Sequence, residues 1–366
     1  MNFLPEAART IGSFVVVLGV LVFIHEMGHY LAARWRGVHV EAFSIGFGRP
    51  LARWTDKAGT EWRLCWLPLG GYVKLHGQER PQDVAEDVRA GWIAGRTFHE
   101  KSVLSRAIVV AAGPVANFLL AAILFSIMFG VQGEPGDPVV QSVMPNSAAQ
   151  AAGIQDGDRI TTIDSRKINT FEDISRIVLV NPGKELHIGL VRGGLAQIVL
   201  VTPSAQDDGG GGKVGLLGVG GALRPVGPVG AVVDGVVHTW DVAVQTLGGV
   251  WQIISGQRGA AGLGGPLKIA QLSGQVASHG VGSLVSFIAL LSVNLGLINL
   301  FPIPILDGGH LVFYALEAIR GRPLPPRALE YGFRAGLALI ACIFLFVTWN
   351  DLTSFGLFRW VAGLIG

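Results

Sequence analysis

The chain has 366 residues, half of them apolar and only 15% charged, where an ordinary soluble protein carries about a quarter. Its net charge of +2 gives no footing for nucleic-acid binding. The two cysteines, Cys65 and Cys342, fall in a loop and an apolar run, which argues against a disulfide framework or a thiolate metal site. A membrane protein is the expectation.

In chain order, residues 11–33 form a first predicted span, broken by one acidic residue, Glu26. Its uncharged part is too long for a secretory signal and no small-residue cleavage site follows, so it is expected to remain. Residues 40–76 are glycine-rich, with GFGRP at 46–50 and LPLGGYVKL at 67–75. Glycines flanking a short apolar strand indicate either a β-element whose backbone approaches something closely or a surface turn. A second span, 107–131, carries GPVAN at 113–117, with Asn117 expected to face protein rather than lipid.

From residue 138 to about 204 the composition is that of a soluble domain. PVVQSV, DRITTI, ELHIGLV and AQIVLVT read as short strands, FEDISRIVLV at 171–180 as a helix, and GGGG at 209–212 as a flexible loop. PNSAAQAAGIQDGDRI at 145–160 resembles the PDZ domains attached to bacterial proteases, and residues 132–222 are assigned to one such domain. PDZ domains take an extended peptide as an added strand. Residues 223–282 read as a helical segment. Within it, 230–256 suits either a helix lying on the outer membrane face or a buried helix of the soluble domain. A third span covers 283–306 and a fourth 333–350, the latter with Arg334 snorkelling from its end.

Basic residues set the orientation. Residues 34–106 contain twelve Lys or Arg, and Arg320, Arg322, Arg327 and Arg334 precede the fourth span, against Arg9 and Arg359 in the tails. The positive-inside rule makes both basic connections cytoplasmic, and the termini and the 132–282 connection extracytoplasmic.

LVFIHEMGHYL, residues 21–31, places three ionisable groups where lipid would surround them. On a helix His25 and His29, four apart, point the same way and can share one metal ion. Glu26 lies about 100 degrees round, near enough to reach a water at the metal without ligating it. A pair of core histidines with a snorkelling glutamate would give the same letters. Three ionisable groups in five positions of a membrane helix cost several kcal/mol, however, so function is the default. Two histidines leave a tetrahedral zinc short of a protein ligand. NLFPIPILDGGH at 299–310 offers Asp307, expected on non-helical backbone because Pro302 and Pro304 break the span and Gly308 and Gly309 let the chain turn. Alternatively, Asp307 merely ends the span at the interface.

These motifs together, HEMGHY, GFGRP, LPLGGYVKL, the PDZ insert and NLFPIPILDGGH, with GGPLKIA at 264–270 and LEAIRGRPL at 316–324, resemble the site-2 protease family (M50) of intramembrane zinc metalloproteases over nearly the whole chain. The resemblance implies a mostly α polytopic membrane protein of about four transmembrane helices, with a membrane re-entrant β-element at about 40–76 and an inserted extracytoplasmic PDZ domain. The first membrane half is 1–131 and the second 283–366. It implies zinc held by His25, His29 and Asp307, Glu26 as general base, and Asn299 helping to hold substrate. Gly70, Gly71, Tyr72, Val73 and Lys74 would engage substrate as an added strand. Implied substrates are single-span proteins, of the anti-sigma-factor type and including remnant signal peptides, already cut outside by a site-1-type protease acting in series. The implied place is a bacterial inner membrane, with the lipid bilayer as surroundings and no nucleic acid as partner. One departure is that a single PDZ domain is found where the best-known members carry two in tandem. Two rivals remain at this stage. One is a catalytically inactive zinc-binding membrane PDZ adaptor, for which Glu26 is dispensable. The other is a zinc transporter, which would need a polar path that the second and fourth spans do not offer.

Overall fold

A computed structural model describes residues 3–79, 84–207, 213–257 and 264–354. The GGGG run at 209–212 and Arg359 lie outside them. The chain divides into two compact units.

The first unit comprises Met1–Phe125, Val236–Trp251 and Gly265–Trp349. It opens with α1 (Phe3–Trp35), the hairpin of β1 (Val40–Thr55) and β2 (Glu61–Leu75), the short α2 (Glu86–Ala90) and α3 (Val103–Gln132). On α1, Val17, Leu21, His25 and Ala32 are buried, a row near the four-residue spacing that stacks side chains on one helix face. On α3 the buried row runs Ser105, Val109, Gly113, Asn117, Ala121, Phe125, every fourth residue. The two rows meet at glycine. A Cβ on Gly28 would collide with the Ala112 carbonyl oxygen, and one on Gly113 with the His29 and His25 rings. Small residues at crossings are what membrane helices use to bring backbones close.

β1 and β2 pair antiparallel, and both bend, so residues 42–45 are flanked by 71–74 on one side and by 61–64 on the other. The bends fall at Gly46, Gly48 and Gly70, with φ of 85°, 89° and 99°, values that cost an L side chain but not glycine. Among the described residues, 71–75 pair on one side only, an edge. A Cβ at Gly71 would crowd the Ser44 carbonyl oxygen, Val22 and Glu26. The glycine-rich segment is therefore a closely packed strand and not a surface turn. Phe43, with no exposure, fixes the sheet on α1, stacking on Trp62 at 4.5 Å and meeting Phe23 and Tyr30 edge-on at 5.8 Å.

The second unit comprises Ser126–Gly235, Gln252–Gly264 and Asn350–Gly366. Its strands are β3 (Glu134–Val143), β4 (Arg159–Ile163), β5 (Arg166–Lys167), β6 (Leu186–Arg192), β7 (Leu195–Val201), β8 (Ser204–Asp207), β9 (Lys213–Leu216) and β10 (Val219–Arg224). They form a sheet of order β10-β3-β4-β6-β7, with β5 on β4, and a separate β8-β9 pair. α4 (Ala148–Ala151) and α5 (Phe171–Leu179) accompany them. A capping box between Thr170 and Asp173 starts α5. Ile174 and Val178 of α5 pack with Ile160, Ile163, Leu186, Ile188 and Leu190 in one core. The sheet runs to Arg224, two residues past the expected boundary at 222.

α6 (Pro228–Ile254) follows. Of the two readings of 230–256, the buried helix is the one the structure does not bear out. Val229, Val233, Val236, Trp240, Val244, Leu247, Trp251 and Ile254 are all exposed, a stripe at helical spacing. α7 (Pro266–Ser278) packs on the first half of α1, where Gly274 admits Thr10.

α8 (Val281–Asn299), α9 (Asp307–Arg320) and α10 (Pro326–Ser354) complete the fold. The third span ends at Asn299 and not at 306. Pro302 and Pro304 supply no N–H, and the chain turns through 300–306 on bonds such as Leu306 N–H to Ile303 O at 2.8 Å. Among the described residues, four helices are long and apolar enough to cross a membrane: Glu6–Trp35, Val103–Gln132, Val281–Asn299 and Pro326–Thr353.

In the sheet unit, the Asp158 side chain is 1% exposed and accepts from Arg192 Nε at 2.7 Å and Nη2 at 2.6 Å and from Gln155 N–H at 2.9 Å. The Arg192 guanidinium holds its carboxyl below the usual carboxylate range. A depressed folded-state pKa stabilises above the unfolded value near 4, and that contribution is lost as pH falls through the folded value. Asp158→Asn is expected to lower the stability of this unit by about 1–3 kcal/mol at neutral pH. The difference should shrink in acid, as read by hydrogen exchange of β4 and β6 amides in the full chain.

Candidate functional site

The site lies entirely within the first unit, where α1, α3 and the head of α9 meet beside the edge strand 71–75. His25 Nε2 and His29 Nε2 are 3.2 Å apart, and Asp307 Oδ2 is 3.2 Å from the first and 3.5 Å from the second. The imidazoles stand at 86° to each other with centroids 4.8 Å apart, so both Nε2 atoms turn toward one point. His29 Nδ1 donates to the Val109 carbonyl oxygen at 2.9 Å, and His25 Nδ1 faces the Asn117 amide at 3.1 Å. Side-chain exposure of the three residues is only 11%, 13% and 17%.

A carboxylate and two imidazole nitrogens converging in an apolar interior need either protons or a metal cation between them. Asp307 Oδ2 is buried with the two imidazole nitrogens as its near neighbours, at 3.2 and 3.5 Å, and the ligand atoms all lie within 4.8 Å of one another. Two imidazole nitrogens and one carboxylate oxygen, each able to face a single ion, make the donor set of a zinc site that keeps one position open. The residues fit that metal.

Glu26 is set apart from this trio. Its carboxylate takes a hydrogen bond from the Val73 backbone N–H, which holds it between α1 and the edge strand. Among the described residues, no other group of three or more His, Cys, Asp or Glu side chains converges in this way.

Asp307 does not sit on irregular backbone. It is the first residue of α9, after extended Leu306, where the helix dipole favours a carboxylate. Gly308 and Gly309 do not make a turn. They lie inside α9, where a Cβ would strike the Leu300 and Phe301 carbonyl oxygens and the Ile303–Pro304 backbone. Glycine here lets the 300–306 turn fold onto the helix that presents Asp307.

A cavity of about 760 Å³ opens on the trio, lined among others by Glu26, Gly71, Tyr72, Val73, Asn299 and His310. Of the residues expected to engage substrate, Gly71, Tyr72 and Val73 reach it. Gly70 does not: it lies against the Phe47 ring. Lys74 turns away to pair with Glu41 at 2.7 Å.

Two features of the site escape sequence reasoning. Asn117, expected only to avoid lipid, contacts His25 directly. Its signal was GPVAN, since Gly113 and Asn117 stand four apart on one face. The second is the pair of Arg106 and Glu317, bidentate at 2.7 and 3.2 Å, with side chains 15% and 11% exposed. Arg106 also lies 4.9 Å from the centre of the Tyr314 ring. This bond ties the start of α3 to the body of α9. Only tertiary structure brings its members together.

Residues 13–343 match peptidase family M50. The chain belongs to that family. A Rhizobium meliloti protein named as a zinc metalloprotease is 44% identical over 365 residues, covering 95% of this chain and 98% of its own. Metalloprotease MmpA of Caulobacter vibrioides is 38% identical, covering 96% and 97%. The regulator of sigma-E protease RseP of Escherichia coli is 32% identical, covering 96% and 99%. The protein is a zinc metalloendopeptidase of the site-2 protease type and a membrane protein. That leaves the inactive adaptor and the zinc transporter without support.

Gly113→Ala should displace both imidazoles, at the overpacking cost of about 1–3 kcal/mol, and so reduce zinc content and proteolysis in protein that still inserts. Gly19, whose Cβ would meet nothing within 4 Å, supplies the control. Gly19→Ala should match the parent in bound zinc measured by mass spectrometry.

Proposed function

We propose that this protein cleaves transmembrane segments of single-span proteins inside the bilayer, after a first extracytoplasmic cut. The observation that carries the reading is the meeting of His25, His29 and Asp307 on one point, beside Glu26 and an edge strand, among helices apolar enough to cross a membrane.

His25, His29 and Asp307 hold the zinc in this reading. Bound there, zinc supplies Lewis acidity, polarising a carbonyl and acidifying water. Glu26 takes the attacking water's proton on its carboxylate and returns it to the leaving amide nitrogen. The Val73 N–H that holds Glu26 fixes the direction from which that proton is taken. Asn299, at the end of α8 and on the cavity wall, steadies the substrate.

A substrate helix has its amides tied in its own hydrogen bonds, and apolar surroundings supply no water to replace them. The 71–75 edge offers replacement partners. Gly71, Tyr72 and Val73 line the cavity, so an unwound substrate segment adds to that edge as a strand and lies along the site. Lys74 and Gly70 shape this edge without touching the cavity.

The sheet unit, assigned to residues 132–222 as one PDZ domain, lies on the extracytoplasmic side with both termini. There it discriminates substrates trimmed by a site-1-type protease from untrimmed ones. RseP aligns over 458 positions, more than the 366 residues of this chain, which suits a protein that gates with fewer modules. α6, with its stripe of Val and Trp, lies along the outer membrane face. RseP is named as a regulator of sigma-E; on that analogy the substrates are of the anti-sigma-factor type, with remnant signal peptides as a second class, in a bacterial inner membrane.

Cleavage of a tagged, pre-trimmed single-span substrate in membranes tests the chemistry. Glu26→Gln should retain zinc and lose cleavage by about 10²-fold or more; continued cleavage would place the base elsewhere. A proline at Val73 removes the N–H that holds Glu26 as well as disturbing the edge, so a proline at Tyr72 separates the two effects. Both variants are expected to keep zinc and cut poorly, and undiminished cleavage by the Tyr72 variant would end the added-strand reading.

A further inference from the structure

Asn117 is wholly buried, yet its Oδ1 has no hydrogen-bond partner, while its Nδ2 lies 3.1 Å from His25 Nδ1. Its backbone is held firmly. Ser292 of α8 donates to the Asn117 carbonyl oxygen at 2.8 Å, and a Cβ at Gly296 of α8 would sit 3.4 Å from the Asn117 Cβ. What remains free is the orientation of the side-chain amide, whose two ends exchange places on a half turn.

That half turn decides the chemistry of His25. A neutral imidazole carries one N–H, so its two nitrogens are linked. With Nδ2–H donating to it, Nδ1 is an acceptor and the ring proton sits on Nε2, pointing at Asp307 Oδ2, 3.2 Å away. With the amide turned over, Oδ1 accepts from Nδ1–H, and Nε2 offers a bare lone pair to the point it shares with His29. Only the second arrangement makes His25 a metal ligand. His29 has no such choice, because its Nδ1 faces the Val109 carbonyl oxygen, which can only accept.

We infer that Asn117 is a positioning residue that sets the tautomer of His25: turned so that Oδ1 accepts from Nδ1–H, its amide leaves Nε2 bare toward the point shared with His29 and Asp307. This rests on reading His25, His29 and Asp307 as the zinc ligands. His29 is held in the ligand tautomer by a backbone carbonyl, and His25 by the Asn117 amide in its accepting orientation.

The test measures zinc affinity of the full-length protein in detergent by chelator competition. Asn117→Leu, similar in size and unable to accept, should bind zinc about 10–100-fold more weakly. Asn117→Asp, whose carboxylate always accepts, should bind at least as tightly as the parent. A role in packing alone gives the reverse order, so affinity of the Leu variant equal to or above that of the Asp variant overturns the inference. His25→Ala separates the two levels. Unchanged affinity there sinks the ligand assignment itself, whereas weakened affinity there with an unaffected Asn117→Leu sinks only the role of Asn117. If either Asn117 variant fails to fold, histidine ¹⁵N shifts of the parent decide. A His25 proton on Nδ1, hydrogen-bonded to the Asn117 side chain, is expected in the zinc-bound protein, and a His25 ring that binds zinc through Nδ1 overturns the proposal.

Discussion

The close approach of α1 and α3 is the constraint on which the site depends. Ionisable side chains in an apolar medium persist only where protein groups surround them. His25 and His29 find those groups on α3, in the Val109 carbonyl oxygen and the Asn117 amide. Reaching them requires the backbones to come nearer than any side chain at Gly28 or Gly113 would allow. Hydrophobicity cannot enforce that approach, since lipid is as apolar as the helices. Shape does, through glycine on both sides of the contact.

The second half of the site arrives by a different device. α9 begins at Asp307 with the carboxylate at the positive end of the helix, and the 300–306 turn is folded tightly against Gly308 and Gly309. Ten residues further on, Glu317 is bonded to Arg106 of α3. α9 is therefore fixed to the α1–α3 pair at two places, one where Asp307 meets His25 and His29 and one at this ion pair. Breaking a buried pair by removing one member leaves an uncompensated charge, so the second anchor resists sliding of α9 along α3. The first anchor thereby keeps its register.

Much of this was legible in the letters. Four spans follow from length and composition, because a bilayer demands runs of a fixed length. HEMGHY carries its own geometry, since i and i+4 share a face whatever surrounds them. The strands of the sheet unit follow from alternation. What could not be read is what tertiary packing decides. Gly308 and Gly309 look like turn residues, yet serve close packing inside a helix. α6 has the same stripe whether buried or exposed. Asn117 and the Arg106–Glu317 pair have partners remote in sequence, and a single chain holds no local sign of them beyond the spacing of Gly113 and Asn117.

The edge strand resolves a conflict that the helices alone would leave. A site surrounded by apolar helices protects its charges but offers a peptide no hydrogen-bond partners, and a peptide inside a helix offers no carbonyl to a catalyst. Residues 71–75 bring unpaired backbone groups to the cavity, and Gly71 lets that backbone lie against Glu26. In the proposed mechanism the same strand positions Glu26, through the Val73 N–H, and presents the backbone groups an unwound substrate needs. On that reading substrate alignment and the direction of proton transfer are both set by one short segment. A shift in its register would move both together, which explains why the bends that place it, at Gly46, Gly48 and Gly70, all occupy conformations that only glycine adopts cheaply.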